Sequence, residues 1–353
     1  MGQLFPVPRL GGGGMTNSTP TPLLEVKNLR KYFPIRKGFF RKTIGNVRAV
    51  DDVSFFVNAG ETLGLVGESG CGKTTTSRCI LRAMPPTSGE MLFRTKEGQT
   101  VDLAKLSRGE LRPLRPQMQM IFQDPYGSLN PRMTLFDIVG EPLLVNGMAN
   151  RKEREERVAE LLRLVGMRPE YMQRFPHAFS GGQRQRIGIA RALSVNPRLV
   201  VADEPVSALD VSVQAQILNL MLDLQKRLNL TYLFVAHNLS VVKHICDRVA
   251  VMYVGKLVEM ASTGELYHSP KHPYTAALMA AVPVADPRVR SGNVELQGEV
   301  PSPANPPSGC YFHPRCEFAV DACRTEAPAF REITLNHFVA CHRADELKLP
   351  GIA

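Results

Sequence analysis

The chain has 353 residues, 44% hydrophobic and 22% charged, with a formal net charge of +10. This is the composition of a soluble globular protein long enough for one large domain and a smaller one. No apolar run approaches the ~18 residues that a membrane helix needs. The basic residues are scattered, which suits a solvated surface rather than a nucleic-acid footprint.

Residues 1–22, "MGQLFPVPRLGGGGMTNSTPTP", lack a charged-then-apolar secretion signal, and Pro6 breaks the myristoylation pattern. They read as a disordered leader. Residues 23–60 alternate like strands. "TLGLVG" is a short buried strand that runs into "GESGCGKT" (67–74), and "KTTTSRCILRAM" continues as a helix. "NRKEREERVAELLRLVG" (150–166) is an amphipathic helix, with Asn150 and Glu153 expected to form a capping box. A second glycine cluster, "FSGGQRQR" (179–186), opens another helix. Then "RLVVAD", a helix over 212–228, "TYLFVAH" and a helix over 239–246 alternate, as in a largely parallel sheet covered by helices. "DRVAVMYVGKLVEMAS" reads as two strands turning near Gly255. Six prolines between 283 and 308 suit a surface linker, and four of the seven cysteines follow it. The expected organisation is thus a large α/β domain over 23–265, an extension over 266–308 and a small appended module over 309–346.

"GESGCGKT" matches the phosphate-loop pattern G-x-x-x-x-G-K-[ST], in the strand–loop–helix context that the pattern requires. Residues Gly67, Glu68, Ser69, Gly70, Cys71, Gly72, Lys73, Thr74 and Thr75 are therefore the candidate ATP cradle. Backbone N–H groups would surround the β-phosphate at a helix N-terminus. Lys73 would reach the β- and γ-phosphates, and Thr74 would offer its hydroxyl to Mg²⁺. Asp203, at the end of an apolar strand, is placed to hold Mg²⁺ through water, and Glu204 beside it to polarise an attacking water. His237 at a strand end and Gln123 in "MIFQDP" would each be unremarkable alone.

Their order changes that. Glycine loop, Gln123, "SGGQ", "DEP", "SALD" and His237 in sequence resemble the ATP-binding cassette family over about residues 23–343. The resemblance implies a P-loop α/β core with an antiparallel β subdomain and a helical subdomain bearing the signature. It also implies head-to-tail pairing, in which Ser180, Gly181, Gly182 and Gln183 serve the neighbour's ATP and Asp210 lies at the dimer interface. Glu204 becomes the general base, His237 a γ-phosphate contact, Gln123 a Mg²⁺ contact linked to the transport partner, and Phe33 (with Tyr32 beside it) the adenine-stacking ring. Phe179 and Val206 depart from the usual Leu and Thr without removing a catalytic group.

"SPKHPYTAALMAAVP" and "GCYFHPRCEFAVDAC" look like the ATPase subunits of oligopeptide and dipeptide importers. That resemblance implies a peripheral protein on the cytoplasmic face of the cell membrane. Its partners would be a second ATPase subunit, two permeases and an extracytoplasmic solute-binding protein, with no nucleic acid. Another solute is the alternative cargo. A soluble cassette acting on DNA or in translation is disfavoured, because only 107 positions separate Lys73 from Ser180 and a single cassette is present.

Cys310, Cys316, Cys323 and Cys341 are spaced C-x5-C-x6-C-x17-C. Four thiolates can hold zinc or an iron–sulfur cluster, and the wide spacing suits the larger group. In the peptide-importer ATPases that this tail resembles, the cysteines bind a four-iron, four-sulfur cluster. Zinc, or cysteines left reduced or paired as disulfides, are the other readings.

Overall fold

The computed structural model describes residues 22–38, 42–280 and 298–352. Nearly all of the expected leader and much of the Pro-rich linker lie outside these ranges. No described helix is long and apolar enough to cross a membrane.

Two sheets build the fold. The first is antiparallel, in the order β2-β1-β4-β5, from β1 (Pro22–Lys37), β2 (Lys42–Asn58), β4 (Ser88–Arg94) and β5 (Thr100–Asp102). The second takes β3 (Thr62–Val66), β6 (Met118–Ile121), β7 (Leu199–Asp203), β8 (Thr231–Ala236), β9 (Arg248–Tyr253), β10 (Lys256–Ser262), β11 (Arg331–Thr334) and β12 (His337–Val339). Its order is β11-β12-β10-β9-β3-β8-β7-β6.

The five strands from β9 to β6 are parallel. Four of them, β3, β7, β8 and β9, are buried almost throughout, and they read as apolar runs because helices or the second sheet cover both faces. One core lies between the two sheets, around Leu29, Val53, Phe93 and Leu233. The other lies between the main sheet and the helices, around Val158, Leu161, Ile187, Phe234 and Val249.

In chain order the helices are α1 (Lys73–Ile80), α2 (Arg108–Leu111), α3 (Leu135–Val145), α4 (Arg151–Leu164), α5 (Gly181–Leu193), α6 (Val211–Leu228), α7 (Leu239–Ile245), α8 (Thr263–His268), α9 (Pro273–Ala280) and α10 (Asp321–Thr325). The reciprocal box expected at α4 forms differently. Asn150 accepts from the Lys152 N–H at 3.0 Å, and its amide donates to the Glu153 carboxylate at 3.2 Å.

The tail corrects a second expectation. Residues 309–346 do not form a separate appended module. Strand β12 pairs with β10 and extends the main sheet, Val339 is fully buried, and Phe312 belongs to the helix-side core.

Candidate active site

Parallel strands end at one edge, and here that edge collects the chemistry. Strand β3 runs into Gly67, β6 toward Gln123, β7 ends at Asp203, and β8 runs into His237.

The loop after β3 is pressed against its neighbours. A Cβ on Gly72 (φ 109°) would lie 2.1 Å from the Ala49 carbonyl oxygen, and one on Gly67 2.1 Å from that of Met252. Only glycine allows that approach. The tip of the β9–β10 hairpin braces the loop, as the Gly255 N–H donates to the Cys71 carbonyl at 2.9 Å. Buried Lys73 donates from Nζ to the carbonyls of Gly67 (2.8 Å) and Glu68 (3.0 Å). Ser69 and Gly70 are exposed, and Thr74 and Thr75 are half-buried in the first turn of α1. Cys71 is buried, and burial raises its thiol pKa, which suits a packing role rather than a nucleophile.

Thr74 Oγ1 donates to Asp203 Oδ1 at 3.1 Å. Burial raises the Asp203 pKa against the lowering effect of that bond. Glu204 sits in the left-handed region (φ 46°), an uncommon conformation for this residue that turns its carboxylate toward two partners. Gln123 Nε2 donates to Glu204 Oε2 at 2.9 Å, and His237 Nδ1 lies 3.0 Å from the same oxygen. Lys73, Thr74, Asp203, Glu204, Gln123 and His237 thus gather at one sheet edge.

The signature residues stand elsewhere. Ser180 caps α5, accepting the Gln183 N–H at 3.4 Å, while Gln183 accepts the Ser180 N–H at 3.1 Å. Gly181 and Gly182 pack beside Leu209 and Val213, on either side of Asp210. Asp210 is exposed and makes no capping bond to α6. Among the described residues, no hydrogen bond joins 180–183 or Asp210 to the phosphate loop.

Of the two adenine-stacking candidates, Tyr32 is committed through its hydroxyl to Asp51. Phe33, its neighbour along β1, is half-buried, with the Lys31 ammonium 5.0 Å from its ring centroid.

Two partners of the loop, Tyr274 and Arg315, escaped sequence reasoning. The Glu68 N–H donates to the Tyr274 hydroxyl at 3.0 Å. The Glu68 carboxylate takes a two-pronged ion pair from Arg315, at 2.9 and 3.2 Å, and Arg315 also reaches the Tyr253 hydroxyl at 3.4 Å. That carboxylate pushes the guanidinium pKa further up. Separations of 206 and 247 positions between Glu68 and these two partners leave no local pattern for such contacts.

Cys310, Cys316, Cys323 and Cys341 line one cavity with His272, Phe312 and His313. Burial raises the Cys316 and Cys341 thiols to about 11. Yet no group of three or more His, Cys, Asp or Glu among the described residues is arranged to hold a metal ion. The side chains as they stand are therefore set for neither tetrahedral zinc nor an iron–sulfur cluster, and what the four thiols share is one cavity. Mg²⁺ asks for oxygen ligands and keeps several waters, so Thr74, Asp203 and Gln123 suit it.

These features define an ATP-binding cassette ATPase. A family model described as "ABC transporter" matches residues 50–207, and one described as "Oligopeptide/dipeptide transporter, C-terminal region" matches 258–323. The chain is 54% identical over 331 residues to the oligopeptide transport ATP-binding protein AppF of Bacillus subtilis, covering 93% of this chain and 99% of that one. It is 54% identical over 320 residues to the probable peptide ABC transporter ATP-binding protein y4tS of Sinorhizobium fredii, covering 91% and 89%. Among solved structures it resembles the dimeric ATP-binding cassette MJ0796 in a post-hydrolysis state bound to ADP and Pi. The TM-score is 0.59 at 27% identity, covering 68% of this chain and 98% of that one. The chain belongs to the oligopeptide/dipeptide transporter ATP-binding family, and it is an ATP hydrolase.

Proposed function

We propose that this chain is the energy-coupling subunit of a peptide importer, working as half of a head-to-tail ATPase pair at the cytoplasmic face of the cell membrane. The pairing is supported by the exposure of both part-sites, Ser69 and Gly70 in the phosphate loop and Ser180 and Gln183 in the signature, and by the likeness to a cassette solved as a dimer. The peptide cargo is supported by the relatives' names and by the matching C-terminal region. Two permeases and a solute-binding protein would complete the assembly.

In each composite site the loop amides and Lys73 bind the β- and γ-phosphates, and Phe33 stacks on adenine. The partner's signature helix presents its N-terminus to the γ-phosphate, as Ser180, Gly181, Gly182 and Gln183 do for the neighbour, with Asp210 at the seam. Thr74, Asp203 and Gln123 would hold Mg²⁺, which neutralises phosphate charge when bound. Glu204 takes a proton from the attacking water as the water oxygen bonds to the γ-phosphorus and the bond from that phosphorus to the β–γ bridging oxygen breaks, releasing ADP and inorganic phosphate. His237 and Gln123, both touching Glu204, orient that carboxylate.

We infer in addition that the four soft thiols lining one cavity take up an iron–sulfur cluster. Protein purified without oxygen should be brown, with iron and sulfide in near-equal amounts, whereas zinc in their place would overturn it. The import function is tested with proteoliposomes holding the assembly and its binding protein. ATP should drive uptake of a labelled oligopeptide; sugar or metal uptake without peptide uptake would replace the cargo.

A further inference from the structure

Glu68 is an awkward residue for its position. It places a carboxylate in a loop built to receive a polyanion, where an uncompensated negative charge opposes ligand binding. The chain's answer comes from outside the ATPase core. Arg315 reaches back 247 positions and meets both Glu68 oxygens, in the fork geometry that guanidinium and carboxylate share. The Arg315 side chain is only 4% exposed. Its reach is fixed by packing: Phe312 stands edge-on to Tyr253 at 5.3 Å and tilted to Tyr274 at 5.4 Å. These are the two tyrosines whose hydroxyls touch Arg315 and the Glu68 N–H. A surface ion pair contributes little, but a desolvated one left half-broken strands a charge.

We propose that Arg315 is a positioning residue of the ATP site, neutralising Glu68 beside the incoming phosphates and holding the phosphate loop in its binding shape. The C-terminal segment thereby becomes a structural part of the nucleotide site, with Cys316 and its cavity one residue from the clamp. The inference rests on the assignment of loop 67–75 to ATP, which Lys73→Ala tests separately.

The discriminating measurement is ATP affinity of the purified full chain, read by displacement of a fluorescent nucleotide. Arg315→Gln leaves Glu68 uncompensated and should weaken ATP binding about tenfold or more. Arg315→Lys keeps the charge and should stay within about threefold of wild type. Glu68→Gln removes the offending charge and is the reference background for the double variant. The double variant Glu68→Gln/Arg315→Gln should recover to within about threefold, which a purely structural brace would not do. Affinity of Arg315→Gln within twofold of wild type would overturn the proposal. So would a double variant and an Arg315→Lys variant both as weak as Arg315→Gln. If Arg315→Gln does not fold, the Lys variant and the double variant decide between the same outcomes.

Discussion

Glu204 has the backbone angle of a residue held in place by its surroundings, with its N–H donating to the Val235 carbonyl at 3.0 Å and its carboxylate held by Gln123 and His237. Glu204→Gln keeps that shape but is a far weaker base. Turnover should fall by ~10²-fold or more while ATP binding persists. Single-turnover hydrolysis alongside nucleotide binding checks this, and unchanged turnover would remove Glu204 from its role. At Lys73 the opposite pattern is expected. Lys73→Ala deletes the main positive charge on the phosphates, so ATP binding and hydrolysis both collapse; rates within about twofold of wild type would contradict the site. These residues were legible because their spacing is local or their order is distinctive. Glu68 was legible as a loop residue, but its partner Arg315 was not.

At the scale of elements, α5 starts with a complete capping box, S-x-x-Q from Ser180 to Gln183. Ser180→Ala should cost ~1 kcal/mol in urea unfolding, separately from any effect on the neighbour's ATP. That S-x-x-Q pattern stands in the sequence, where Ser180 and Gln183 read as nucleotide contacts rather than as a helix cap. In the tail, Phe312→Ala should cost about 3–5 kcal/mol. It should also loosen the Tyr253 and Tyr274 contacts, so urea unfolding and ATP affinity should change together. Four of the parallel strands, β3, β7, β8 and β9, could be read from their apolar runs, whereas β6, at four residues, could not. Strands β11 and β12, at four and three residues, could not. Such short segments have no period of their own, and pairing with β10 fixes them. For the same reason the Pro-rich boundary suggested a separate module where the main sheet continues: composition marks a linker, but pairing decides which sheet the chain rejoins.

For the whole molecule, the central claim is that one chain holds two unlike part-sites, each completed by a neighbour. Both reach the surface: Ser69, Gly70, Ser180, Gln183 and Asp210 are all exposed. The resemblance carried by the order of the motifs implies the pairing, and the exposure of both part-sites is consistent with it. Photolabelling with azido-ATP tests it most directly, in an assembly where only one of the two ATPase chains carries a substitution. Ser180→Arg in this chain should strip label from the neighbouring chain and spare its own, whereas Lys73→Ala should strip label from its own. Loss of its own label in the Ser180→Arg chain, with the neighbour unaffected, would contradict the shared site.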